Sequence, residues 1–436
     1  MVRRMFPGVY EGWVVVGSSA LVVLLIGASF YYGFGVFFND IIKEFGWSVA
    51  ATALAFSLRS EIGGLAAPLV GMGIDRFGAR RIVVTGVLIA SAGVLGLSYI
   101  QNMWQFYLAM VVIAIGSSGA GGQAGLAAIA TWFERRRALA MSLSTLGGGV
   151  AGLLVVGIAW LVEEFGWRIA LRCLVVGMIV IGVAFGMQIR TRPRNHPQPM
   201  DGRHYLDEDG AVLPRARMWG IPAKRAMMTR AFLFSGLAMI ALAFSTTAVL
   251  VHQVPYLETQ IGVSKAVAGS SVALYTLFSI IGRLGLGMLG DRISKRVLLA
   301  FCAGLIGAGT LVLATASTFP QVVFAILLIA PGFGGTIPVR PAMMADYFGT
   351  RYFGTVNGIA ALMNTTGGAL GPWAVGRIVD VTGQYEMGWY LAAGVGLLAA
   401  PLVMMAAPPH ELAARYRAAQ ADEPEGAPVA QPLLID

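Results

Sequence analysis

The chain has 436 residues, of which 57% are hydrophobic and only 12% are charged. A soluble globular domain carries about 25% charged residues, so this composition excludes an ordinary soluble protein and indicates one that crosses a membrane many times. The formal charge of +9 resides in short segments between apolar runs. That distribution is a membrane-topology signal and argues against nucleic-acid binding.

Twelve apolar runs, each long enough to cross a bilayer as a helix, occupy most of the chain. The first follows Arg3 and Arg4 and is too long for the apolar part of a signal peptide, so it is kept as a helix. The predicted helices are 13–38, 49–71, 81–99, 104–130, 138–162, 168–188, 230–254, 266–289, 297–315, 320–344, 353–379 and 388–407. They define six-helix bundles at 1–188 and 230–410, a basic linker at 189–229 and a polar tail at 411–436 that we expect to be disordered.

Basic residues predict the orientation of the chain in the membrane. They cluster before helix 1, after helices 2, 4 and 8, in the linker and in the tail, and all of these segments lie on one side. The opposite loops carry few. We therefore predict a multi-pass protein of the plasma or inner membrane that has both termini in the cytoplasm and functions as a monomer.

Two motifs recur at nearly the same offset. The basic loop with Asp75 after helix 2 is echoed after helix 8 by a loop with Asp291, 216 positions later. The aromatic pair ending at Phe133 after helix 4 is echoed after helix 10 by a pair ending at Phe348, 215 positions later. This repetition predicts duplication of a six-helix unit, with a substrate site near the midplane between two pseudosymmetric bundles.

The loop 71–81 has the pattern G-x-x-x-D-R-x-G-x-R-R, which resembles the signature loop of the major facilitator superfamily. The stretches 11–13, 32–48 and 132–140 are similar to the monocarboxylate transporter family, including its bacterial members and the oxalate–formate exchangers. The resemblance covers essentially the whole chain. It implies an all-α membrane fold of twelve helices in two six-helix bundles, and transport of a small organic anion.

Arg283 stands alone among apolar residues, eight positions before Asp291. At about 1.5 Å per residue it lies roughly 12 Å from that turn, near the middle of a bilayer core of about 30 Å. A cation at this depth costs at least ~2.5 kcal/mol unless it has a partner or faces a watery cavity. We predict that it binds the transported anion, and the resemblance implies the same role for the helix 8 arginine. Pairing with an acid or a carbonyl is the alternative.

Three positions depart from the family pattern. Ser279 stands one turn before Arg283, where animal members have an acid, and Tyr32 replaces a lysine of helix 1. Asn364 lies at the depth where the oxalate exchangers carry a second cation on helix 11. A single midplane cation favours a monoanion over a dianion.

Several side chains could either line the substrate cavity or simply pack. Tyr275 and Ser279 share a helical face with Arg283, Gln123 lies at a similar depth in helix 4, and Phe333 lies between glycines on helix 10. The predicted substrate-binding residues are Arg283, Ser279, Tyr275, Gln123, Asn364, Tyr32 and Phe333.

The two loop aspartates predict a latch between the bundles. By pseudosymmetry, Asp75 should meet the start of helix 11 and Asp291 the start of helix 5. A carboxylate at a helix N-terminus gains about 0.3–1 kcal/mol from the helix dipole. Such contacts would hold the outward-open state and break when the cytoplasmic side opens. The predicted gating residues are Asp75, Arg76, Arg80, Asp291 and Arg292.

Candidates for proton coupling lie towards the outer side. Arg59 and Glu61 on helix 2 are two positions apart and do not face one another, so they pair with other helices or form an outer gate or proton site. His252 and Glu258 lie near the outer end of helix 7, and histidine titrates near physiological pH. Arg340 and Arg377 are interpreted as snorkelling or pairing residues near helix ends.

These features predict a secondary carrier for a small organic anion, a monocarboxylate, that works by rocker-switch alternating access and is coupled to protons. Exchange against a counter-anion, efflux of an amphipathic drug, or a transport-dead nutrient sensor are the alternatives. No predicted helix carries a metal-ligand cluster or a nucleophile–base pair, and the two cysteines are far apart. We therefore expect no enzyme activity, no cofactor and no metal.

Overall fold

The computed structural model describes residues 10–193, 200–202 and 218–421. These residues are almost entirely helical, and the one extended pairing among them is a bridge between Gly220 and Gly349. Nine of the described spans are long and apolar enough to cross a membrane. The longest of them is interrupted at Gly166, whose φ of 78° and ψ of 158° are not helical. With two further long helices, the described chain is consistent with twelve membrane-crossing helices.

We number these helices α1 to α12 in chain order. Helix α1 comprises Glu11–Ile26, the π-helical turn Gly27–Tyr32 and Phe34–Phe45; α2 is Val49–Phe77, α3 is Ala79–Leu97, α4 comprises Met103–Ala120 and Gln123–Trp132, α5 covers 137–165 and α6 covers 167–186. Helix α7 is Arg230–Tyr256, extended by the π-helical turn Leu257–Ile261; α8 is Lys265–Leu289, α9 is Lys295–Thr315, α10 is Phe319–Phe348, α11 is Phe353–Thr382 and α12 is Glu386–Met405.

The described chain divides into two compact units. Unit 1 contains residues 10–222 together with 348–358 and 412–421, and unit 2 contains 223–347 together with 359–411. Unit 1 thus holds α1 to α6 and the first turns of α11, and unit 2 holds α7 to α10, the rest of α11 and α12. This grouping differs from the predicted division because the described parts of the linker before Ala223, the start of α11 and the last part of the chain belong to unit 1.

Small residues allow close helix packing within each unit. In unit 1, Gly86 of α3 and Gly116 of α4 approach so closely that a Cβ on either would collide with the backbone of the other helix. In unit 2, Gly307 of α9 meets Leu397 of α12 in the same way. Because lipid tails are as apolar as the side chains, close van der Waals packing rather than removal of apolar surface from water favours these contacts.

The prediction of a disordered tail is wrong for residues 411–421. His410–Ala421 form a helix. Gln420 exchanges two hydrogen bonds with the backbone of Gly220, at 3.0 and 3.1 Å, and the guanidinium of Arg417 lies 4.3 Å from the ring centroid of Trp219. The polar composition suggests disorder because these partners lie about 200 positions away in the sequence. Residues 422–436 lie outside the described chain.

Candidate functional site

The buried face of α8 carries the arginine predicted to bind substrate. Tyr275, Ser279 and Arg283 recur at four-residue spacing, so they share one face of the helix, and they are 2%, 4% and 8% exposed. Arg283 lies six positions before the end of α8, inside an apolar span. The hydroxyl of Ser279 is buried and has no hydrogen-bond partner within the described chain. Since buried hydroxyls are normally bonded, this one is available to a polar ligand.

Helix α10 crosses α8 at the same place. Gly282 packs on the backbone of Pro331, and Gly334 packs on the backbone of Ser279 and Arg283, so a side chain at either glycine would overlap these atoms. The ring of Phe333 on α10 lies 5.7 Å from the ring of Tyr275, measured between centroids. The structure therefore brings four of the predicted substrate-binding residues together in unit 2. They are Arg283, Ser279, Tyr275 and Phe333.

A second guanidinium lies further along α10. Arg340 lies eight positions before the end of that helix, which is deeper in the span than its predicted place near a helix end. Its Nη1 donates a hydrogen bond to Oδ1 of Asn364 on α11. The sequence predicts no second cation at the depth of Asn364. The structure places one there because α10 and α11 are neighbours at this point.

In unit 1, two predicted residues lie where helices are irregular. Gln123 begins the second segment of α4, directly after Gly122, whose φ is 115°. Its Oε1 is buried and has no hydrogen-bond partner among the residues described. Tyr32 ends the π-helical turn of α1, and its side chain lies outside the described residues. Irregular backbone inside a span is tolerated where it lines a cavity or is covered by protein, so both positions remain candidates.

Glu61 is a half-buried carboxyl group in α2. No residue of the described chain forms a hydrogen bond or an ion pair with it. Arg59, two positions earlier, is also half-buried and has interactions of its own. An acidic side chain without a protein partner inside a membrane helix is a candidate for binding a proton.

His252 in α7 is held through both ring nitrogens. Its Nε2 lies 2.9 Å from the carbonyl oxygen of Pro372, and its Nδ1 lies 3.5 Å from the hydroxyl of Tyr385. A carbonyl oxygen accepts hydrogen bonds and cannot donate, so Nε2 carries a proton, and in the neutral ring Nδ1 accepts from the tyrosine. This arrangement suits a structural histidine. Glu258 is exposed in the π-helical turn that extends α7.

Asp75 connects the last turn of α2 to the first turn of α11. Its Oδ1 accepts the backbone N–H of Gly354 at 2.8 Å, and its Oδ2 accepts the N–H and the hydroxyl of Thr355 at 2.7 and 2.6 Å. These N–H groups are free because a helix leaves its first turn of donors without internal acceptors. The internal repeat predicts this position for Asp75. Three arginines predicted to assist are exposed, namely Arg76, Arg80 and Arg292.

The linker supplies a carboxylate to the start of α5, a contact that the sequence analysis missed. The carboxylate of Asp201 accepts the backbone N–H groups of Glu134, Arg135 and Arg136 at 3.1–3.3 Å. Asp201 is 3% exposed and has a φ of 56°, which is uncommon for residues other than glycine, asparagine and aspartate. Asp291, which the internal repeat predicts to lie at the start of α5, is half-buried in the turn after α8 and has interactions of its own, so its contact with α5 stays a prediction. An acid within a polar linker has no local pattern that predicts such a contact.

Comparison with known proteins identifies the fold and the family. The family model described as Major Facilitator Superfamily matches residues 20–254 and 233–433. Monocarboxylate transporter 13 of Rattus norvegicus is 27% identical over 407 residues, which cover 91% of this chain and 89% of the relative. Monocarboxylate transporter 3 of the same organism is 26% identical over 397 residues, covering 89% and 78%.

Solved structures share the fold at low sequence identity. A human organic anion transporter superposes with a TM-score of 0.67 at 14% identity, covering 90% of this chain and 99% of the other. The E. coli fucose:proton symporter superposes with a TM-score of 0.67 at 15% identity, covering 89% and 97%. These superpositions confirm the predicted fold class. The family model and the sequence relatives support a transport role. The chain is a multi-pass membrane protein that belongs to the major facilitator superfamily, and its sequence relatives include monocarboxylate transporters.

Proposed function

We propose that this protein carries a small organic anion, a monocarboxylate, across the membrane, and that Arg283 binds the carboxylate. The observation that supports this most is the cluster on α8 and α10, where the buried arginine lies one turn from the unbonded hydroxyl of Ser279. The names of the sequence relatives, monocarboxylate transporters 13 and 3, and of the human organic anion transporter of similar fold agree with this assignment.

The chemistry of the cluster suits a short carboxylate. A guanidinium can hold a carboxylate through two parallel, charge-assisted hydrogen bonds, which a lysine ammonium cannot reproduce. The hydroxyl of Ser279 adds a further donor. The paired rings of Tyr275 and Phe333 offer an apolar surface for the carbon chain.

The transport cycle that we propose is rocker-switch alternating access coupled to protons. The contacts of Asp75 with α11 would hold the state that is closed on the cytoplasmic side and would break when that side opens. Glu61 is the preferred proton-binding group, because it is a half-buried acid with no partner in the described chain. We further propose that both termini are cytoplasmic and that the monomer is the transporting unit.

Uptake by proteoliposomes tests this proposal. The purified protein is assayed with a panel of radiolabelled short carboxylates, with and without an imposed pH gradient. Proton-coupled transport predicts saturable uptake that the gradient accelerates. Stimulation by an internal counter-anion, without any effect of the gradient, would indicate an exchanger instead.

Substitution of Arg283 tests the site directly. Leaving one member of a buried ion pair without its partner commonly costs about 3–5 kcal/mol, which is at least a hundredfold in affinity. We therefore expect much weaker binding by Arg283→Lys and no measurable uptake by Arg283→Ala. Arg230→Ala, at an exposed arginine that begins α7, is the matched control and should transport normally. Parental uptake by a monodisperse Arg283→Ala protein would refute the assignment.

A further inference from the structure

The pair of Arg340 and Asn364 is a feature of unit 2 that the proposed function does not use. Arg340 lies inside α10, where a cation normally faces a partner or a watery cavity. Within the described chain its side chain forms one hydrogen bond to another side chain, to Oδ1 of Asn364, and no carboxylate forms an ion pair with it. Both residues are partly exposed. A charged group of this kind is accessible to a ligand.

The side chains of this pair offer free hydrogen-bond donors but no free hydrogen-bond acceptor that could bind a cation. The side-chain oxygen of Asn364 is engaged by Arg340, which leaves the amide N–H groups of Asn364 and most of the five N–H groups of Arg340 without a described partner. A positively charged cluster of donors binds anionic oxygen atoms. The planar fork of the guanidinium matches a carboxylate in particular.

The pair lies within reach of the proposed carboxylate site. Gly334 packs against the backbone of Arg283, and Arg340 follows Gly334 by six positions, about 9 Å along the helix axis. Phe333, whose ring contacts Tyr275 beside that site, is seven positions before Arg340 and therefore shares its helical face. Because Gly334 lies against the backbone of Arg283, this axial offset of about 9 Å places Arg340 at a spacing from the proposed carboxylate site that one short molecule can bridge.

We propose that Arg340 and Asn364 form a second anion-binding subsite and that the preferred substrate is a short dicarboxylate with one carboxylate on each arginine. The inference rests on the proposed function, because it takes Arg283 as the group that binds the first carboxylate. It keeps the small organic anion and the role of Arg283 from the proposed function and replaces the monocarboxylate by a dicarboxylate. The preference for a monoanion follows from counting a single cation in the sequence, and Arg340 is a second one. The second carboxylate of such a molecule supplies a counter-charge to Arg340, which a monocarboxylate bound at Arg283 does not.

A matched pair of four-carbon acids tests the subsite. Binding and uptake of labelled succinate and labelled butyrate are measured in proteoliposomes containing the full-length protein. The parent should bind succinate more tightly than butyrate. Arg340→Gln should weaken succinate binding about tenfold to a hundredfold, as expected for the loss of a hydrogen bond to a charged group, and leave butyrate binding unchanged. Asn364→Asp, which supplies Arg340 with a counter-charge, should remove the preference for succinate in the same way.

Controls separate this subsite from general damage and from failure of the proposed function. Arg377→Gln, at an exposed arginine on the same helix as Asn364, should leave both affinities unchanged. The subsite would be overturned if Arg340→Gln and Asn364→Asp weakened the binding of succinate and butyrate equally, or weakened the binding of neither acid. In another outcome, the parent binds butyrate in a manner that depends on Arg283 and yet shows no preference for succinate. That result would overturn the subsite and preserve the proposed function. Absence of binding for both acids in the parent would refute both proposals.

Discussion

The substitution Asp75→Asn removes a charge from the contact between α2 and α11 and keeps the shape of the side chain. In the structure the carboxylate accepts three hydrogen bonds, one from Gly354 and two from Thr355, at 2.6–2.8 Å. The asparagine oxygen can still accept the N–H of Gly354. Its amide group would face the two donors of Thr355 and cannot accept from either.

The size of the effect follows from these contacts. The hydroxyl of Thr355 can rotate to accept from the new amide group, so the net loss is one hydrogen bond, that from the N–H of Thr355. A hydrogen bond to a charged group contributes about 1.5–3 kcal/mol, and the charge at the helix N-terminus contributes about 0.3–1 kcal/mol more. The loss of about 2–4 kcal/mol corresponds to roughly a thirtyfold to several-hundredfold shift in the equilibrium between the closed and open contact. We therefore expect Asp75→Asn to slow transport far more than it weakens substrate binding, because the contact lies away from Arg283 in the chain and in unit 1.

Cysteine labelling on the predicted cytoplasmic side measures this shift. Single cysteines near the cytoplasmic ends of the helices should react faster in Asp75→Asn than in the parent, while substrate affinity in detergent stays close to the parental value. Thr355→Val removes the hydroxyl and retains the backbone N–H, so it should give a smaller change in the same direction. Loss of binding together with unchanged labelling would show that Asp75 does not act as a latch.

Three further predictions follow from the structure. Asp201→Ala should speed hydrogen exchange at the amides of residues 134–136 and destabilise the start of α5 by about 1 kcal/mol, as for loss of a helix cap; unchanged exchange would show that the linker contact is not maintained. Single substitutions of Glu61, His252 and Glu258 test whether a protein side chain carries the coupled proton. At least one of the three variants should then show an altered pH dependence of uptake. A parental pH profile in all three would favour substrate-borne protons or exchange. Glu44 lies beyond the apolar span of α1, and hydrogen bonding to the Arg168 side chain, with help from Trp167, holds its pKa below the usual value near 4.5. The ionised carboxylate of Glu44 therefore stabilises the folded protein. This stabilisation is fully present above the ordinary pKa of glutamate and is lost as the pH falls through the lowered pKa of the folded state. Thermal unfolding of Glu44→Gln should show a deficit of no more than about 1 kcal/mol at pH 7 that disappears in acid; a deficit that is independent of pH would contradict the role of this charge.

Local amino-acid composition predicts most of the helices. A chain in lipid must bond its backbone groups internally, so each apolar run of sufficient length has to be a helix. The internal repeat adds information over a longer range, because it relates the loop of Asp75 to that of Asp291. It predicts that Asp75 lies at the start of α11, which is where the structure places it. The face of α8 that carries Arg283 also follows from four-residue spacing alone.

The contacts between helices depend on their rotation and register, which hydropathy does not encode. Arg340 lies in the span and contacts Asn364, 24 positions away, because α10 and α11 meet there, and Gly282 and Gly334 allow α10 to approach α8 to backbone contact. Asp201 reaches the start of α5 across about 65 positions of sequence by adopting a positive φ. The sequence by itself therefore determined the helices, their pseudosymmetric order and the buried arginine. Apart from the contact of Asp75 with α11, only the tertiary structure decided which polar groups meet, because those contacts depend on the close approach of particular backbones.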